Sequence, residues 1–305
     1  MLSVAADSYL AARRTAGFQL RDAGRVLQDF AAFAADKGDT HVCTRTVFDW
    51  IRARAGSRMR NCFRLRTVVR FARYAHAEDQ RHEIPPANAF GPCSPQRRPP
   101  FLFTPGHVAD LLRAARESGP KESLQPLAYS TLFGLLAATG LRISEALNLR
   151  LEDVTREGLL VRNTKFNKSR LLPLHPSTRV QVERYLGRRL QEAGACPFLF
   201  VSVAGRKLHA NTARGVFRRL VFSLGTARPE DKPRPRIHDL RFYFANQALT
   251  NSPGDHDGIS RHMVALTTYL GHSDVRNSYW YLEATPSLLS KIAQSCESFA
   301  NGASS

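Results

Sequence analysis

Four short stretches carry side chains that could act on a phosphate. In "ATGLRISEALNL" (138–149), Arg142 follows a Gly-Leu break and so starts a helix, where backbone N–H groups already favour an anion. Glu145 lies one turn on and can orient the guanidinium. In "RIHDLRFYFANQAL" (236–249), His238 and Arg241 are three apart, which places them on one helix face. An imidazole beside a guanidinium suits a phosphate with one proton to move. In "RNTKFNKSRLLPL" (162–174), a strand–turn–strand pattern puts Lys165 and Lys168 at the tip, where a long amine can reach into a groove. In "LGHSDVRNSYWYL" (270–282), His272 is followed by two phenols, Tyr279 and Tyr281, either of which could be a nucleophile or plain packing. Taken singly, each stretch reads equally well as ordinary surface.

The elements that must position these groups are mostly helical. Leu10, Phe18, Val26, Leu27, Phe30 and Phe33 recur at the spacing of one buried helix face, and Thr44 is a candidate cap for a helix through Val47, Trp50 and Ile51. Thr104-Pro105 starts a further helix, 127–136 is an apolar and central one, and Gly140 ends it. "GLLVRN" and "SRLLPL" are two short strands. Helices are expected near 180–190, 212–224, 236–248 and 263–270, and "SLLSKIAQSCESFA" closes the chain with a last one. The fold class is therefore mainly α with a small antiparallel β-sheet. "RHEIPPANAFGPCSPQRRPP" (81–100) has six prolines and no helical period, so it reads as a linker. The domains are then a helical region 1–82, a proline-rich linker 83–100 and a larger domain 101–305.

Charge points to the partner. The chain has 305 residues, a net charge of +18 and a pI near 10.5, the balance of a protein that meets a polyanion. No acidic residue falls between Asp49 and Glu78, while Arg58, Arg60, Arg64, Arg66, Arg70 and Arg73 accumulate among Phe63, Val68, Val69 and Phe71. A helix with one apolar and one basic side fits this run, and the missing acids favour DNA over a merely solvated face. There is no run of 18 apolar residues and no lipidation motif, so no membrane is expected. The five cysteines are scattered, odd in number and without CxxC, and read as reduced thiols of a cytoplasmic protein. His256 and His262, in a long polar connection 250–262, read as solvated rather than as metal ligands.

In this order, "TGLRISEAL", a lysine at a hairpin tip, "HDLR", "LGH" and a tyrosine nine residues beyond that histidine resemble the tyrosine recombinases, the phage integrase family. The resemblance is close over 101–289 and covers the N-terminal region only in size and basicity. The "NSYWYLEATP" wording is most like integrases carried by plasmids and transposons. The resemblance implies that Tyr281 is the nucleophile and Tyr279 packing. It also implies that Lys165 protonates the leaving 5′ oxygen and that His272 bonds the phosphate. Arg142 and Arg241 could clamp the non-bridging oxygens, and His238 is the candidate base for a phenol whose pKa near 10 makes it a poor nucleophile at neutral pH.

No carboxylate cluster has metal-ligand spacing, so neither metal nor other cofactor is expected. The implied protein is a site-specific DNA recombinase working through a 3′-phosphotyrosyl intermediate, without ATP. It would act as a homo-tetramer on two double-stranded DNA sites, joined through the C-terminal helix and located at the nucleoid. The rival readings are a type IB topoisomerase and a basic DNA-binding protein without catalysis. One departure stands out: Phe242 and Tyr243 follow "HDLR" where the family often has His-Thr.

Overall fold

A computed structural model gives the fold; it describes residues 2–92, 98–120, 122–162, 169–192, 194–226, 234–250 and 256–271. The chain divides into two compact units, 1–97 and 98–305.

Unit 1 is four helices: α1 (Leu2–Thr15), α2 (Arg21–Asp36), α3 (Thr44–Ala53) and α4 (Arg58–Glu78). Leu10, Leu27, Phe30, Trp50, Ile51 and Phe71 form its core. Trp50 is fully buried because its one polar atom is answered: Nε1 donates to Asp29 at 2.9 Å. Two expectations fail here. Phe18 is exposed beyond the end of α1, with Arg13 over its ring at 4.1 Å, because a helix that has ended no longer carries the repeat. Thr44 is the first residue of α3 rather than its cap; Glu83 does the capping by accepting from the Thr44 N–H at 2.7 Å. That bond, with Phe90 packed edge-on to Phe48, lays the first part of the proline-rich stretch onto unit 1.

Unit 2 is built around α6 (Leu124–Thr139). It is apolar on nearly every side, so all its faces are covered. Against it pack α5 (Pro105–Glu117), α8 (Pro176–Glu192) and α10 (Asp239–Thr250). Thr104 caps α5 by accepting from the His107 N–H, with Pro105 in the first turn. Gly140 ends α6 at φ 62°, and a short α7 (Ile143–Asn148) follows at once. β1 (Leu159–Val161) and β2 (Arg170–Leu172) pair antiparallel with Leu159 opposite Leu172 and Val161 opposite Arg170. α9 (Ala210–Ser223) completes the main core with Phe217 beside Phe133.

A separate small core joins α10 to α11 (His256–Leu270) through Phe242, Ala245, Leu249, Met263, Leu266 and Leu270. Phe242 is therefore buried between these helices, and Phe244 stacks on Tyr269 at 5.4 Å. The polar connection expected over 250–262 is shorter than the sequence suggested, because α11 already starts at His256. Among the described residues the fold is eleven α-helices and one two-stranded antiparallel sheet, the mainly α class with a small sheet. No helix among them is long and apolar enough to cross a membrane. Of the three described cysteines Cys43 and Cys196 are free, but Cys62 is disulfide-bonded, which corrects the expectation of thiols throughout.

Candidate active site

The turn between α6 and α7 sets the first arginine. A glycine is required at position 140. Its φ is positive, and an added Cβ would stand 2.6 Å from the Phe244 ring and 2.8 Å from Leu270. Two residues on, Arg142 stands at the N-cap position of α7, and Glu145 reaches back to it. Its backbone N–H donates to Glu145 Oε2 at 3.0 Å and its Nη1 to Oε1 at 2.9 Å. The sequence thus named the right partner.

The structure adds a second arginine that the sequence did not single out. Arg170, first residue of β2, donates to the same carboxylate through Nη2 at 3.0 Å and Nη1 at 3.4 Å. Burial opposes ionisation of Glu145, but the Arg170 bonds, the Arg142 backbone bond and both charges outweigh it and hold its carboxyl below the usual range. The signal for Arg170 was hidden, since only the hairpin register shows that strand β2 returns to α7.

Arg241 lies in the first turn of α10 and is 2% exposed. Its Nη1 donates to the Gly140 carbonyl at 2.6 Å and its Nη2 to the Leu270 carbonyl at 2.8 Å. One side chain therefore ties the turn before Arg142 to the end of α11, two residues before His272. His238 stands in the turn just ahead of α10, not inside it as the sequence suggested, and the Arg241 N–H donates to its carbonyl at 3.1 Å. Asp239, 1% exposed, shapes that turn by accepting from the Arg236 backbone at 2.8 Å and its guanidinium at 3.1 Å.

His238 keeps an open edge to solvent, yet it is crowded enough for partial loss of water to lower its pKa. The Arg241 charge adds to this, Asp239 opposes it, and Arg236 and Arg142 lower it further. The lowered pKa favours the neutral ring, the form that can take a proton. The Arg241–Gly140 bond brings the turn that carries His238 against the start of α7, where Arg142 stands. Lys165, Lys168, His272, Tyr279 and Tyr281 lie outside the described residues, as does the closing segment 287–300.

The five arginines of α4 expected to meet DNA, Arg58, Arg60, Arg64, Arg66 and Arg70, divide. Arg60, Arg66 and Arg70 are exposed and, with Ser57, Phe63 and one acid, Asp22 of α2, line an open groove along α4. Arg64 instead turns back, donating to the Arg54 carbonyl at 2.9 Å and the Ala55 carbonyl at 3.2 Å, where α3 ends. Arg58 donates to the Phe90 carbonyl at 3.0 Å.

Unit 1 also gathers His41, Asp79 and His82, a donor set too dispersed in sequence to be noticed there. Their contacting atoms are engaged already. His41 Nε2 meets Asp79 at 3.1 Å, His82 Nδ1 accepts from the Val42 N–H at 3.0 Å, and Arg81 grips Asp79 at 2.8 Å. A neutral His82 then carries its proton on Nε2, so the cluster is a hydrogen-bond network rather than a metal cage.

Known proteins bear on this arrangement. The phage integrase family model matches residues 103–287. The putative integrase/recombinase y4rB of Sinorhizobium fredii (strain NBRC 101917 / NGR234) is 36% identical over 302 residues, covering 96% of each chain. The tyrosine recombinase XerD of Rhizobium meliloti (strain 1021) is 29% identical over 239 residues, 76% of this chain and 72% of that one. Among solved structures, XerH bound to a palindromic difH substrate aligns with a TM-score of 0.63 at 17% identity, over 89% of this chain and 78% of that one. A lambda integrase tetramer bound to a Holliday junction gives 0.62 at 16%, over 92% and 76%. The structural likenesses speak for the fold, while the family match spans most of unit 2 and the y4rB match nearly the whole chain. The chain belongs to the phage integrase family, the tyrosine recombinases.

Proposed function

We propose that this recombinase cuts and rejoins DNA at a specific site through Tyr281. The observation that carries the reading is the pair of bonds from Arg241, three residues after His238, to the Gly140 carbonyl two residues before Arg142 and to the Leu270 carbonyl two residues before His272. The phenolate oxygen of Tyr281 attacks phosphorus, the bond to the 5′ oxygen breaks, and a 3′-phosphotyrosyl linkage forms. His238, in its neutral form, takes the phenol proton. Lys165 gives a proton to the departing 5′ oxygen. Arg142, held by Glu145, and Arg241 offset the charge growing on the non-bridging oxygens, with His272 bonding the same phosphate. A second 5′ hydroxyl reverses the step, so no ATP is consumed.

Unit 1 is the DNA-binding domain of this reading. Arg60, Arg66 and Arg70 face the backbone from the α4 groove, Arg58 and Arg64 brace that helix, and Lys168 reaches DNA from the hairpin. The working form is a homo-tetramer on two double-stranded sites, joined by the C-terminal helix 287–300. It serves a mobile element in the cytoplasm, at the nucleoid.

The test is a covalent adduct on a denaturing gel after incubation with a nicked duplex that carries the site selected by the protein from a random pool. Tyr281→Phe abolishes the adduct and Tyr279→Phe does not. The reverse pattern moves the nucleophile to Tyr279. No adduct at all leaves a DNA-binding protein, and relaxation without joining of two sites leaves a topoisomerase.

A further inference from the structure

We propose that Arg170 is a positioning residue of the strand-transfer reaction: its guanidinium holds the Glu145 carboxylate, which in turn aims Arg142 at the phosphate. The inference rests on the recombinase reading and adds a residue to it. Glu145 is nearly buried, with 8% of its side chain exposed, and it receives two arginines at once. Arg142 approaches from its own helix, 32% exposed. Arg170 approaches from the strand, at 15% exposure, and meets both carboxylate oxygens. A planar fork against a planar carboxylate fixes orientation as well as distance, which a single contact cannot do. With Arg170 in place the carboxylate is held at both oxygens, and Arg142 donates to a fixed acceptor.

One further contact places Arg170 beside the chain that leads to His272. An added Cβ on Gly271 would stand 3.1 Å from Arg170 Nη1 and 3.5 Å from its Cζ, so the backbone just before His272 lies against the guanidinium. Arg170 is also the first residue of β2, five positions after Lys165 in the sequence. Its Nε is buried and has no hydrogen-bond partner among the described residues. A buried cation with an unmet donor is costly to keep for packing alone. The charge count agrees: two guanidinium groups share one carboxylate, which leaves net positive charge where the phosphate must sit.

The experiment is single-turnover cleavage of the selected nicked duplex at saturating protein, with affinity for the same duplex measured separately. Arg170→Met is expected to slow cleavage about 100-fold, the scale of a misaimed catalytic group. Affinity for the duplex should change by less than about 3-fold, because the loss falls on the reacting step and not on ground-state binding. In a Glu145→Gln background the same substitution should cost less than about 3-fold more, since the carboxylate it acts through is already gone. Arg170→Lys, which keeps the charge but not the fork, should fall between, about 10-fold slow, and serves if the methionine variant does not fold. Equal losses in both backgrounds, parallel losses of affinity and rate, or full activity in Arg170→Lys overturn the inference. An inactive wild-type protein overturns the recombinase reading instead.

Discussion

Arginines crowd both units, and the two regions use them in opposite ways. Along α4 of unit 1, Arg60, Arg66 and Arg70 project from an exposed helix face. In unit 2, Arg142, Arg170 and Arg241 are each held by named acceptors, and Arg241 is 2% exposed. Exposed, screened charges follow a polyanion along its length and tolerate small shifts in register. Charges with fixed partners are held to one position and tolerate almost none. Position decides the division more than residue type, as Arg64 shows: it belongs to the basic run, yet it ties off the end of α3.

The contrast can be broken in graded steps. Arg142→Ala should slow single-turnover cleavage about 1,000-fold, near 4 kcal/mol of transition-state stabilisation, with site affinity hardly altered. A comparable loss of affinity would erase the distinction between the two regions. Gly140→Ala should lower stability by about 2–3 kcal/mol in denaturant melts, since its φ is 62° and Phe244 and Leu270 occupy the space. Arg64→Ala should cost about 1 kcal/mol of stability and leave the salt dependence of binding almost unchanged. Arg66→Ala should do the opposite, reducing the slope of log affinity against log salt by about 1 with stability intact. If Arg64 and Arg66 behave alike, the inward turn of Arg64 is irrelevant in solution.

The pH profile sharpens the same point. Because His238 has a lowered pKa, cleavage should persist below the ordinary imidazole range and fall only as the ring finally protonates. His238→Gln should remove that acid limb.

Much of unit 2 could be read before its structure was known, because its signals are local. Thr104-Pro105 caps α5, Gly140 ends α6, and the two apolar pieces flanking "TKFNK" pair as a hairpin. The Arg142–Glu145 pair is also local, three residues apart on one short helix. What escaped depends on distant chain segments meeting. Arg170 reaches Glu145 across 25 residues, and only the strand register brings it there. Asp239 shapes the His238 turn by hydrogen bonds that no periodicity records. Phe18 has the right spacing for the core, but α1 ends before it. The Cys62 disulfide gave no sign in an odd set of scattered cysteines.

The grip of Arg241 on two carbonyls has a consequence for a chain that emerges from the ribosome one residue at a time. It reaches Gly140, 101 positions earlier, and Leu270, 29 positions later. Until the later segment has been made and has folded back, one of its two anchors does not exist. A half-synthesised or truncated copy can thus complete α4 while Arg241 still lacks one of its two anchors.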